Sequence, residues 1–419
     1  MTFRLRLTAS VLGFVALWFV SVRALPTAAK PEEVGFSSQR LQRIQETIQR
    51  HITAGDISGA VTLVARKGRI AHLAAHGQMD LETKNAMPPN AVFRLASMTK
   101  PIVGSAIMMM LEEGKVRLND PVSRFIPEFK ALKVAVEQPR TGPASAGAPP
   151  AFYTVPATRE ITVKDLLTHT SGLVSGGVSA TEAAKIVRKP TDTLATYLPQ
   201  LASVPLAFQP GSRWTYSPSV GFETLGRIVE VASGQTLDQF FKQRIFDPLG
   251  MKDTFFYGPK DRQIRTPIVY TRNPEGMVIA DNPDRNRSAM YFAGGGGLLS
   301  TAEDYIQFAQ MLLNGGQLNG KRLLGPRIVD LMHAIHVPDT YAGRQPGRSF
   351  GLSVQVISNP VAAGQSVSEG SYGWDGAYGT HFWIDPKEQI VGILMVQTSN
   401  PNRQVDRDFE TAVMQALVE

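Results

Sequence analysis

Strand patterns stand near both ends of this chain and helical patterns fill the middle, so the two ends must meet to build a sheet. Near the front, residues 59–66 and 69–76 flank Lys67-Gly68, a two-residue hairpin signal. Near the end, residues 350–356 alternate, and residues 380–384 and 389–396 flank the turn Asp385-Pro386-Lys387. Between them, residues 101–113 carry Ile102, Val103, Ala106, Ile107, Met110 and Leu111 on one face and stop at Gly114. Residues 163–167, 221–232, 237–245 and 302–313 read the same way, with Gly234 and Gly315 as stops. Strands from both ends beside a helical middle make an α+β fold. A chain of 419 residues with 43% hydrophobic content can bury a large core. There is no internal repeat, and residues 138–150, rich in Pro, Gly and Ala, read as a surface loop.

The chain has no cysteine. That excludes disulfides, thiolate nucleophiles, iron–sulfur clusters, cysteine zinc sites and a lipidated N-terminal cysteine. Arg4 and Arg6 precede an apolar run over residues 7–22, and Val22-Arg23-Ala24 fits a small-residue cleavage site. This predicts a signal peptide over residues 1–24 and a periplasmic or secreted protein with no stable membrane span after cleavage. Arg23 is unusual there, and without cleavage the run would anchor the protein. Losing Arg4, Arg6 and Arg23 takes the net charge from +7 to +4. The basic residues are scattered, which argues against nucleic-acid binding. Nothing in the sequence speaks to oligomeric state.

Residues 93–101 read Phe-Arg-Leu-Ala-Ser-Met-Thr-Lys-Pro, with Ser97 and Lys100 at the start of an apolar helix. Residues i and i+3 share a helix face, so the amine can reach the hydroxyl. A serine there also sits where N–H groups and the helix dipole favour developing negative charge. Serine needs an adjacent base to act as a nucleophile, and a desolvated lysine can serve. The bare motif also arises by chance, and Ser97 alone could be a helix cap.

The flanking residues add to this. Residues 93–102, followed by Leu-Glu-Glu-Gly-Lys-Val-Arg-Leu-Asn-Asp-Pro-Val at 111–122, resemble the active-site helix and next turn of the serine β-lactamase-related family. That family includes class C β-lactamases, DD-peptidases and family VIII esterases. Leu-Leu-Thr-His-Thr-Ser-Gly-Leu at 166–173, Trp-Thr-Tyr-Ser at 214–217, Gly-Arg-Ile-Val-Glu at 226–230, and segments 245–251 and 293–302 fit in family order. The resemblance implies a β-lactamase/transpeptidase-like fold in one hydrolase domain over residues 25–419. Its sheet part would cover about 30–85 and 345–419, and its mainly helical part about 86–344.

The resemblance also implies roles. Tyr216 would hydrogen-bond to Ser97 and Lys100 and shuttle a proton, its pKa lowered by the lysine. The family's third motif falls on Trp374-Asp375-Gly376, expected to bind substrate, with the N–H groups of Ser97 and Ala377 as the oxyanion hole. Gly376 would let the strand approach the substrate closely.

Two positions depart from the β-lactamase pattern. Pro218 replaces the asparagine of Tyr-x-Asn, leaving Ser217 or Ser219 as polar substitutes. Trp374 replaces the lysine of Lys-Thr-Gly and is similar to the Trp-x-Gly of family VIII esterases. A lysine would hold a β-lactam or peptide carboxylate, whereas tryptophan offers an apolar face to a neutral ester. The expected reaction is ester hydrolysis through a Ser97 acyl-enzyme, with no cofactor and no metal. The rivals are a β-lactamase or DD-peptidase acting on amides, and a non-catalytic binding protein of the same fold.

Other motifs read as structural. His72 and His76 share a sheet face, His169 is expected to be a hydrogen-bonding strut, and no His/Asp/Glu cluster, His381 included, has metal-site spacing. Gly294 to Gly297 lacks the Lys-Ser/Thr of a phosphate loop and reads as tight backbone packing beside the site. Met108, Met109 and Met110 read as core.

Overall fold

The computed structural model describes residues 24–139, 151–259, 262, 264–273, 276–280 and 289–418. Residues 1–23 of the expected signal peptide and residues 140–150 of the expected loop lie outside the described residues.

The ends of the chain do meet. Strands β1 (Gly59–Arg66), β2 (Arg69–Asp80), β3 (Asn85–Ala86), β4 (Arg348–Phe350), β5 (Gln355–Ile357), β6 (Tyr372–Asp375), β7 (His381–Asp385) and β8 (Ile390–Val396) form one sheet. Its order is β4-β5-β6-β7-β8-β1-β2-β3. All pairs in it are antiparallel, and the two ends join where Ala60 faces Val396 and Arg66 faces Ile390. Lys67 and Gly68 both take positive φ, 50° and 73°, as the expected two-residue hairpin requires. The expected α+β architecture, with one sheet built from both ends of the chain, is borne out.

The expected strand over residues 350–356 is instead two. Ser353 adopts φ 71° and Gly351 N–H donates to Val354 O at 2.8 Å, folding the segment back on itself. A Cβ at Gly351 would lie 2.5 Å from Met332 O, so the turn needs glycine where it presses on the neighbouring helix.

Five helices build the cores beside the sheet: α1 (Ser38–Thr53), α2 (Thr99–Glu112), α3 (Val220–Ser233), α4 (Ala302–Leu313) and α5 (Gln404–Met414); α1, α4 and α5 pack on its strands, and α2 and α3 pack on each other. Alternation along β1 and β8 sends side chains to both faces. Val61, Leu63, Ile393 and Met395 join the core shared with α2, α3 and α4. Ala60, Val64, Leu394 and Val396 join a second core with Ile44 and Ile48 of α1 and Phe409 and Val413 of α5. Both strands are buried throughout, as a sheet covered on both faces demands. Helices α1 and α5 escaped the sequence reading, although Ser37 caps α1 and Leu41, Ile44 and Ile48 carry its period. Residues 99–110 of α2 are all buried, so that helix is enclosed rather than one-faced. Among the described residues no helix is long and apolar enough to cross a membrane.

Candidate active site

Ser97 sits on a single 3₁₀ turn, Ala96–Met98, that leads into α2. Ala96 adopts φ 46°, a left-handed conformation that costs a non-glycine residue about 1 kcal/mol or more. The surroundings hold the turn in place. Phe93–Arg94 pairs with Leu299–Ser300, Leu95 N–H donates to Leu298 O at 2.9 Å, and Tyr305 Oη donates to Met98 O at 2.9 Å. Ser97 stays partly exposed while Lys100, one turn on, has 0% exposure.

Lys100 Nζ lies 3.0 Å from Ser97 Oγ, 2.7 Å from Pro218 O and 2.6 Å from Gly295 O. Burial lowers its pKa to about 7, opposed by the charge of Glu223. Tyr216 Oη donates to Ser97 Oγ at 2.6 Å. The expected Tyr216–Lys100 hydrogen bond is absent among the described residues; Nζ instead lies 5.1 Å from the centre of the Tyr216 ring. The expected lowering of the Tyr216 pKa is also reversed. Burial pushes it up, and the Ser97 hydrogen bond opposes this only partly.

Two carbonyls in this network carry no side-chain signature. Pro218, noted above for its missing side-chain polarity, contributes its backbone oxygen. Gly295 does the same from the glycine run, which packs closely as expected: a Cβ at Gly294 would lie 2.6 Å from Phe222 O, and one at Gly295 2.7 Å from Ser219 Cα. Ser217 is not an asparagine substitute, since its Oγ donates to Leu173 O at 2.9 Å and accepts from Gly221 N–H. His169 accepts from Ser217 N–H through Nδ1 at 3.2 Å. Burial and then the Lys100 charge hold its pKa well below the usual value, so it stays neutral.

Trp374 stands on the site face of β6, with its ring 5.6 Å from Tyr216, 5.2 Å from Phe350 and 6.3 Å from His169. Asp375, expected beside the substrate, is the next residue of the strand and points to the opposite face. There its Oδ1 lies 2.6 Å from His381 Nδ1. Gly376 meets the turn that carries Ser97: Thr380 Oγ1 donates to Leu95 O at 3.0 Å, and a Cβ at Gly376 would overlap both oxygens. The Gly376 carbonyl accepts from Gly379 N–H at 3.1 Å and from Arg403 Nη2 at 3.0 Å. In a trans peptide the next N–H points the opposite way. The N–H of Ala377 is therefore directed away from Arg403, and it has no partner among the described residues. His72 and His76 converge on Thr62 Oγ1 at 2.8 and 2.9 Å, away from this site.

Comparison with known proteins finds the Beta-lactamase family profile over residues 44–416. Protein Rv1367c of Mycobacterium tuberculosis is 35% identical over 86% of this chain and 91% of its own. Esterase EstB of Burkholderia gladioli is 29% identical over 89% and 95%. The solved structure of EstCE1, described as a hydrolase with promiscuous acyltransferase activity, superposes with a TM-score of 0.76 at 27% identity, covering 90% of this chain and 99% of its own.

Proposed function

Because the chain belongs to the Beta-lactamase family of serine hydrolases, we propose that it cleaves carboxylic esters through an acyl-enzyme on Ser97. The observation that carries this reading is the position of Ser97 Oγ, 3.0 Å from Lys100 Nζ and 2.6 Å from Tyr216 Oη.

The proton positions follow from donors and acceptors. A neutral lysine amine has two N–H groups and one lone pair. The carbonyls of Pro218 and Gly295 can only accept, so they take both N–H groups. The lone pair is left for the Ser97 proton. With a pKa of about 7, Lys100 is neutral in roughly half the molecules at pH 7. Tyr216, with its pKa raised, is a phenol that donates.

In the proposed acylation, Ser97 Oγ attacks the ester carbon and its proton passes to Lys100. The oxyanion is held by the N–H groups of Ser97 and Ala377. The alkoxide leaves with the Tyr216 proton. In deacylation, water gives a proton to the Tyr216 phenolate and attacks the acyl carbon, and Ser97 Oγ leaves with the Lys100 proton. Both residues end as they began, with no cofactor, and residues 25–419 act as one hydrolase unit.

Trp374, Pro218 and the esterase relative support an ester over an amide. A basic, then apolar, N-terminal segment supports export to the periplasm or beyond. The test compares a short-chain nitrophenyl ester with a chromogenic cephalosporin. Faster ester turnover, lost in Ser97→Ala, is expected; a cephalosporin preference would make the protein a β-lactamase or DD-peptidase. Failure of a fluorophosphonate to label Ser97 would leave a binding protein.

A further inference from the structure

On the face of the sheet opposite Ser97, strands β5, β6 and β7 and helix α5 border a cleft of about 280 Å³. That lies just below the roughly 300–1,000 Å³ of drug-sized pockets, so an occupant is small. Arg348, Arg403, Arg407 and His381 line it against three carboxylates, Asp375, Asp406 and Glu410.

The carboxylates are already engaged. His381 sits between Asp375 Oδ1 at 2.6 Å and Glu410 Oε1 at 3.0 Å; burial works against its charge, but the two acids together outweigh it and raise the His381 pKa well above the usual value. Glu410 Oε2 also accepts from Gln365 at 2.8 Å, and Asp406 lies 3.8 Å from Arg403. Four cations face three carboxylates, which leaves one net positive charge. The Arg348 and Arg407 guanidinium groups make no close ion pair among the described residues, although Arg348 feels the charges of Glu410, Asp375 and Asp406; its side chain donates only to Ala363 O, at 3.2 Å. Ser371 Oγ and Trp383 Nε1 also lack a hydrogen-bond partner among the described residues, but neither presents surface to the cleft, and the same holds of the acceptor Gln365 Oε1.

We propose that this cleft binds a small organic carboxylate, held by the guanidinium groups of Arg348 and Arg407. A carboxylate only accepts, and its two oxygens match the guanidinium fork.

The competing occupant is a metal ion, since ligand atoms of Asp375, His381 and Asp406 lie within 4.8 Å of one another. Charge and geometry oppose it. Both His381 nitrogens are committed to acids, and Arg403 lies 4.0 Å from Asp375 and 3.8 Å from Asp406, where it would repel a cation.

Arg403 also grips Gly376 O. Arg403 thus ties the lining of the cleft to the peptide that carries the Ala377 N–H. Any consequence for catalysis rests on the proposed oxyanion role; binding itself does not.

The experiment titrates the full chain with succinate, inorganic phosphate or manganese chloride, reading thermal unfolding and tryptophan fluorescence. Succinate is expected to raise the melting temperature saturably by mass action, equally in wild type and Ser97→Ala. Arg348→Gln and Arg407→Gln are each expected to weaken it about tenfold, a loss of about 1.4 kcal/mol. Arg407 is exposed, so its variant tests the idea even if Arg348→Gln folds poorly. No succinate effect, or one unchanged by both substitutions, overturns the proposal. So does a saturable response to phosphate or manganese in place of succinate, the latter lost in Asp406→Asn.

Discussion

Lys100 Nζ lies 2.6 Å from the carbonyl oxygen of Gly295, a residue 195 positions further along the chain. That bond and its companion to Pro218 orient the amine, and burial then sets when it can act. A charge without water is disfavoured, so the Lys100 pKa falls to about 7. The neutral form, the proposed acceptor of the Ser97 proton, dominates above that value. Ester hydrolysis is therefore expected to rise with pH, with kcat/KM half-maximal near pH 7 and falling about tenfold per unit on the acid side. Tyr216, pushed up from 10, stays protonated over this range. Removing the Glu223 charge, which holds the Lys100 pKa up, should move the midpoint to lower pH; a pH–rate profile of Glu223→Gln beside wild type checks this.

Tyr216→Phe should separate the two halves of the reaction. The ring packs 4.7 Å from His169 and 5.6 Å from Trp374, and phenylalanine keeps those contacts. In the proposed mechanism the lost hydroxyl removes the donor for the leaving alcohol and the acceptor for the attacking water. With a nitrophenyl ester, whose leaving group departs without a proton, deacylation bears the loss: a fall in kcat of about 10²–10⁴ is expected, with the acyl-enzyme accumulating on Ser97 in intact-mass spectra. An unacylated enzyme of normal turnover would remove Tyr216 from the mechanism.

Arg403 touches no reacting atom, yet it holds the Gly376 carbonyl at 3.0 Å. It thereby orients the Ala377 N–H and polarises it through the shared peptide. Arg403→Gln should lower kcat with KM little changed, by about tenfold, less than the 10²–10³ for deleting an oxyanion donor outright. Arg403→Lys should recover part of it. A matching rise in KM would point to a general loss of structure.

The sequence carried the parts of the site that side chains write. Ser97 and Lys100 were legible because i and i+3 share a helix face, and the order of motifs added Tyr216. The carbonyls of Pro218 and Gly295 were invisible, since any residue supplies a backbone oxygen. Asp375 was assigned to the substrate because a motif names neighbours, whereas a strand sends neighbours to opposite faces. Its partners His381, Arg403 and Asp406 form a cluster that only tertiary contact assembles. In the fold, Lys67-Gly68 revealed its hairpin, but the turn at Gly351 and Ser353 hid within an alternating run.

Gly376→Ala tests the seam between β6 and the nucleophile turn. The added methyl would overlap Thr380 Oγ1 and Leu95 O, and these are bonded to each other, so neither moves alone. Leu95 precedes the strained Ala96 and the nucleophile, so relief must displace Ser97 or the Ala377 N–H. The substitution is expected to destabilise by about 1–3 kcal/mol, as overpacking does, and to lower kcat far more than that loss alone implies. Gly68→Ala is the matched control. Its φ of 73° strains an alanine, but a Cβ there meets nothing within 4 Å. It should lose about 1 kcal/mol with ester turnover intact at a temperature where both variants are folded. Equal activity losses in the two variants would show that stability, not the seam, governs the rate.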